Sequence, residues 1–216
     1  MSKNIGVLIL LMSAFSVAHG QGGSQLYVVD PYDGDTNTGG GIFIVDQQTG
    51  ATTPKVSATV AAVPTEVIAM ALDSADLETI YVVFESDGST ATRTLGTIDL
   101  STGEITPIGL LGDAIADIAF DGNGQLYGIT GDGGSDSSTF FSIDKSTGTI
   151  TLIVAMDGTN GDGEALAFNP TDGMMYRISG NGTDELTSIN LNTFAINTVP
   201  VTTTITDNGE GLGMVF

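Results

Sequence analysis

The feature that most constrains this chain is a repeat. Four segments alternate small and apolar residues and end on a large apolar one: Ile68-Ala-Met-Ala-Leu72, Ala116-Asp-Ile-Ala-Phe120, Ala165-Leu-Ala-Phe168 and Gly213-Met-Val-Phe216. Their last residues fall at 72, 120, 168 and 216, a constant interval of 48. After each of the first three comes a turn, then an apolar-Tyr pair: Ile80-Tyr81, Leu126-Tyr127 and Met175-Tyr176, with Leu26-Tyr27 opening the series. An acidic, glycine-rich loop follows, then a strand ending in Val45-Asp46, Ile98-Asp99, Ile143-Asp144 or Ile189-Asn190. The next turn is nearly identical each time: Asp46-Gln-Gln-Thr-Gly50, Asp99-Leu-Ser-Thr-Gly103, Asp144-Lys-Ser-Thr-Gly148 and Asn190-Leu-Asn-Thr-Phe194. Asp or Asn bonds the turn backbone and Gly takes its left-handed position, so Phe194 predicts a wider last turn.

A unit of about fifty residues with four short antiparallel strands is a propeller blade. Helical periodicity is missing, and the predicted fold is all-β, a four-bladed β-propeller of four-stranded blades. The first unit lacks its opening strand and the chain ends on that strand type, so 211–216 is expected beside Leu26–Val29, closing the first blade from both termini. A β-sandwich is the alternative fold, and two chains could also pair into an eight-bladed ring.

The first twenty residues read as a targeting segment. Lys3 precedes an apolar run from Ile5 to Val17 that is too short to span a bilayer, and Ala18-His19-Gly20 suits a signal peptidase. The expectation is a signal peptide over 1–20, a single propeller domain over 21–216, a secreted, periplasmic or extracellular location, and no membrane insertion after cleavage. Cleavage removes His19 and Lys3, leaving Lys55, Arg93, Lys145 and Arg177 against 26 acidic residues. That balance excludes a nucleic-acid surface and favours a cation or a cationic partner, although acidic charge also serves solubility. Cysteine is absent, so no disulfide holds the fold.

The stretches Glu164-Ala-Leu-Ala-Phe168, Leu126-Tyr-Gly-Ile129 and Ile143-Asp-Lys-Ser-Thr-Gly148 resemble secreted bacterial β-propeller repeats of the form E-G-L-A-F-D, L-Y-G-V and I-D-x-x-T-G. The resemblance covers essentially all of 21–216 and implies the fold. Many such proteins have no assigned function. Related propellers include metal-dependent lactonases and phytases with carboxylates around the central channel, an analogy of fold only.

Because successive strands run up and down, the loops after each second strand share one face with the connections between blades. That face receives most of the acidic residues. Glu66, Asp113, Glu164 and Glu210 each stand at the start of an inner strand, where a propeller opens onto its channel. Four converging carboxylates need a cation or protons, and oxygen ligands without His or Cys suit Ca²⁺. The plainer reading is that each accepts turn amides or faces water. Asp33, Asp35 and Asn37 have the alternate-oxygen spacing of a calcium loop, as do Asp157 to Glu164 in part, but neither completes an EF-hand and both also suit β-turns. No organic cofactor is expected.

Without His or Cys, 21–216 cannot build a Ser-His-Asp triad or a cysteine nucleophile. The leading expectation is a non-enzymatic binding module that takes a protein or small ligand on its acidic, Ca²⁺-loaded face. The alternatives are a metal-dependent hydrolase of lactonase or phytase type at the channel mouth, and a structural cell-envelope or surface protein. The tyrosines recurring once per blade read as packing residues, with a sugar-binding ring as the alternative.

Overall fold

The fold is described from a computed structural model, over residues 14–17, 25–30, 41–85, 93–131, 133–156, 164–179 and 185–200. These residues contain strands and turns and no α-helix. The first blade is β1 (Ala14–Val17), β2 (Gln25–Asp30), β3 (Gly41–Val45) and β4 (Thr52–Ser57). A small hairpin, β5 (Thr59–Val60) and β6 (Val63–Pro64), leads to the second blade: β7 (Val67–Leu72), β8 (Ile80–Phe84), β9 (Thr94–Ile98) and β10 (Ile105–Leu110). The third is β11 (Ile115–Phe120), β12 (Leu126–Thr130), β13 (Thr139–Ile143) and β14 (Ile150–Ala155). The fourth is β15 (Glu164–Asn169), β16 (Met174–Ser179), β17 (Glu185–Asn190) and β18 (Ile196–Pro200). Four antiparallel four-stranded sheets set in a ring make this a four-bladed β-propeller, as the repeat requires.

Burial explains the strand composition. Every residue of β8 and β12 is buried, because the neighbouring blades cover both faces and alternation gives way to a continuous apolar run. The outer strands β4 and β18 are almost wholly exposed. Three apolar clusters fill the gaps between successive blades. Val29, Ile42, Met70 and Phe84 join blades one and two; Val83, Leu95, Ile118 and Phe141 join two and three; Ile129, Phe140, Leu166 and Met175 join three and four. Ala69, Ala71, Ala119, Ala165 and Ala167 are buried on the inner strands, where backbones crowd and larger side chains would not fit. The recurrent tyrosines pack: the Tyr127 ring stacks on Phe140 at 5.2 Å, and Tyr81 meets Phe120 edge-on at 5.4 Å.

Two expectations change. The edge of β2 expected to pair with 211–216 is paired with β1, from Ala14 opposite Val28 to Val17 opposite Gln25. Residues 211–216 lie outside the described residues. An unpaired edge accepts any short extended segment within reach, and 14–17 is joined to β2 by a short connection. The last conserved-type turn is also no wider than the others. Phe194 N donates to Asn190 O at 2.7 Å, just as Gly50 N does to Asp46 O and Gly103 N to Asp99 O. Phe194 takes the left-handed conformation itself, at φ 55°.

Candidate functional site

The acidic residues divide by what their oxygens do. On the face of the repeated turns, carboxylates hold the backbone. Asp46 Oδ1 accepts from Gln48 N and Thr49 N, each at 2.9 Å. Asp99 and Asp144 each accept from the amide and hydroxyl of a serine two residues on, Ser101 and Ser146. Asp76 accepts from Thr79 N, Glu78 N and Thr79 Oγ1, which together pull its pKa down to about 2. The same donors hold Asp46, Asp99 and Asp144 below the ordinary carboxylate range. Also on this face, Lys145 Nζ from blade three reaches Asp73 Oδ2 of blade two and lies 5.4 Å from the centre of the Phe120 ring. These carboxylates are committed to structure.

On the opposite face the charges are arranged differently. Glu66 ends the connection from β6 to β7, Glu85 follows β8, and Arg93 precedes β9, so the topology gathers all three at one end of blade two. Their backbones are tied, with Glu85 N donating to Glu66 O at 3.2 Å. Arg93 Nε stands 3.9 Å from Glu85 Oε1, while Nη1 donates to the carbonyl of Ile115, the first residue of the next blade's inner strand. Burial raises the pKa of Glu66, the charge of Glu85 raises it further, and Arg93 opposes both. Burial pulls Arg93 downward against the two carboxylates. Two acids therefore share one half-buried cation.

Asp113, another expected ring member, does not join them. Asp113 is buried, and its carboxylate turns into the next loop: Oδ1 accepts from Ala114 N at 2.8 Å and Ser135 N at 2.7 Å, and Oδ2 from Asp136 N at 3.3 Å. That is the plainer of the two readings for this residue, and its oxygens fit a ring cation poorly. Glu164 opens β15, opposite Ser179. Glu210, Asp33, Asp35 and Asn37 lie outside the described residues. Among the described residues no group of three or more His, Cys, Asp or Glu is placed to hold a metal.

Two polar residues escaped the sequence reading. Asp117 is buried in β11 where the other blades carry Ala69 and Ala165 at the same repeat position. Its Oδ1 accepts from Ile118 N and its Oδ2 from Leu166 N at 2.7 Å, joining the inner strands of blades three and four. Ser179 is buried at the end of β16, with an Oγ that makes no hydrogen bond to a described residue. Aligning the blades at the repeat interval and marking departures would have found both.

No protein-family model matches the chain, and no curated protein matches its sequence. Solved structures do match in fold. A structural-genomics protein of unknown function from Bacteroides thetaiotaomicron superposes with TM-score 0.57 at 16% identity, over 88% of this chain and 43% of that one. GH43B of the Bacteroides ovatus xyloglucan PUL gives TM-score 0.57 at 16% identity, over 93% of this chain and 43% of that one. A candidate exo-β-1,3-galactanase from Bifidobacterium bifidum gives TM-score 0.57 at 10% identity, over 84% and 67%. The chain thus spans less than half the length of the first two. These likenesses concern the β-propeller fold alone.

Proposed function

We propose that this protein is an exported β-propeller binding module that takes a cationic ligand on the face carrying Glu66, Glu85 and Arg93. The supporting observation is the division of the carboxylates. Those on the turn face are occupied by amides, whereas Glu66 and Glu85 share one arginine and Glu66 is held above its ordinary pKa. A second positive group at this place relieves the repulsion between the two acids, which is a differential gain on binding. Export is supported by the targeting character of segment 1–20 and by the resemblance to secreted repeats, and cleavage after residue 20 would free the β2 edge that Ala14–Val17 covers. Calorimetric titration of lysine oligomers against the full chain tests the reading. Binding should weaken at least tenfold in Glu66→Gln/Glu85→Gln and fall with added salt. Equal affinity in that variant and the parent would refute it.

The same pair favours a second reading. One carboxyl with a raised pKa beside a second carboxylate is the arrangement that assigns acid and base in glycoside hydrolysis. The matching propellers include GH43B and a candidate galactanase. Glu66 would act as the acid and Glu85 as the base. A panel of aryl glycosides, lactones and phosphate esters separates the two readings: turnover lost in Glu66→Gln supports the hydrolase, and none across the panel supports the binding module.

A further inference from the structure

Each inner strand from β7 onward carries a large apolar residue that serves the preceding blade. Phe120 of blade three meets Tyr81 of blade two edge-on at 5.4 Å. Leu72 packs against the cluster that holds Tyr27, and Phe168 against the one that holds Tyr127. These three tyrosines are buried, as are Val29, Val83 and Ile129 two residues further on. In blade four Tyr176 and Ile178 hold the same positions but are only half-buried. Among the described residues no apolar cluster joins blade four to blade one. The 48-residue series that supplies Leu72, Phe120 and Phe168 continues at Phe216. Covering an apolar face that stands half in water is the driving force for adding a strand there.

The inner edge of blade one is held by β1, whose residue types do not follow the repeat. In blades two, three and four the residue before the tyrosine stands opposite Leu72, Phe120 or Phe168. The tyrosine itself stands opposite Ala71, Ala119 or Ala167, all buried. The register of β1 sets Ser16 opposite Leu26 and Phe15 opposite Tyr27, which reverses that order. Its match to β2 is one of backbone pairing, which any sequence supplies, and its advantage is the short tether through 18–24. By the register of the other blades, 211–216 brings Phe216 opposite Leu26, Met214 opposite Val28 and Gly213 opposite Val29. Met70, Ile118 and Leu166 stand at the Met214 position, and Ala69 and Ala165 at that of Gly213. Val215, in place of alanine, is larger than its counterparts.

We propose that Ala14–Val17 is a placeholder which leaves with the targeting segment, and that 211–216 then takes the β2 edge and closes blade four onto blade one. While 14–17 is tethered to β2 its pairing is intramolecular and wins by proximity. A cut after residue 20 removes the tether, and the strand that matches the repeat in side chains as well as backbone displaces it. Phe216 then covers Tyr176 as Phe120 covers Tyr81. Ring closure is thereby delayed until the targeting segment has been removed. The inference rests on the export reading and is independent of what binds at Glu66 and Glu85.

The chain has no cysteine, so introduced pairs report which strand holds the edge. Ser16→Cys/Leu26→Cys and Leu26→Cys/Phe216→Cys are made in the full chain and oxidised before and after cutting by purified signal peptidase. Before the cut the first pair should cross-link and the second should not. After it the first should fail and the second should form a disulfide within one chain. Thermal unfolding of the cysteine-free chain gives a second readout: the cut chain should melt several degrees above the full chain. Phe216→Ala should lower Tm after the cut and leave it unchanged before. A chain that signal peptidase leaves intact refutes the export reading and this inference with it. A cut chain with no 26–216 disulfide and no rise in Tm refutes the inference alone. So does equal 26–216 cross-linking before the cut, or a disulfide between two chains, which gives the edge to a second copy.

Discussion

Replacing Gly103 by Ala should destabilise the fold far more than the same change at Gly50, although both glycines occupy the same turn. Their φ values are 80° and 71°, so the cost of placing an L-residue in the left-handed region is shared, at about 1 kcal/mol after allowing for the less flexible unfolded chain. Their surroundings differ. A Cβ on Gly50 meets no described atom within 4 Å, whereas one on Gly103 would stand 2.0 Å from Ser57 O and 2.7 Å from Val56 Cγ2. The obstacle is backbone of the neighbouring blade, so the junction must open, which costs about 1–3 kcal/mol more. Urea unfolding of the two variants gives the comparison as a shift in midpoint at constant slope. The junction also bears on the candidate site. Thr59 N donates to Gly103 O, and Glu104 accepts from Thr59 Oγ1 at 2.9 Å and Ala61 N at 2.8 Å, so this turn clamps the β5–β6 hairpin that leads to Glu66. Gly103→Ala should therefore weaken lysine-oligomer binding while Gly50→Ala leaves it unchanged. Equal destabilisation by the two substitutions would refute the packing of blades one and two described above.

Other outcomes follow from single contacts. Phe194→Gly should leave stability within about 1 kcal/mol of the parent in thermal unfolding, because relief of the left-handed residue is offset by loss of a phenyl group that is 41% exposed. Asp117→Ala should cost about 1–3 kcal/mol in urea unfolding by leaving Leu166 N without its acceptor in a buried junction. Asp76→Ala should lower Tm at pH 7, with the difference vanishing as pH falls. The sign follows from a folded-state pKa of about 2, below the unfolded value: the stabilisation is complete above the ordinary carboxylate range and is lost as pH falls through 2.

The fold was legible because packing repeats. The 48-residue interval, the tyrosines and the Asp-x-x-Thr-Gly turns recur where the same neighbours recur, so each blade confirms the others. Strand order within blades followed directly. The partner of the β2 edge did not, because edge pairing depends on backbone groups that every sequence carries, and Ala14–Val17 reaches it. The site was half legible for a related reason. Charge and loop order placed Glu66 and Asp113 on one face, but whether a carboxylate is occupied depends on nearby amides, and Asp113 is claimed by Ser135 and Asp136 from the following loop. Asp117 and Ser179 were visible as departures from the repeat, yet the meaning of Asp117 needed the facing strand.

The central claim is that the carboxylates of one face are committed to turns while Glu66 is held under strain on the other. Site-resolved NMR titration of the side-chain carboxyls, without any ligand, tests this directly. The account predicts Asp76 titrating near 2 and Glu66 above the ordinary glutamate value, with Glu66 moving down in Glu85→Gln as the opposing charge is removed. A Glu66 that titrates at or below the ordinary value, or that ignores the loss of Glu85, would contradict it.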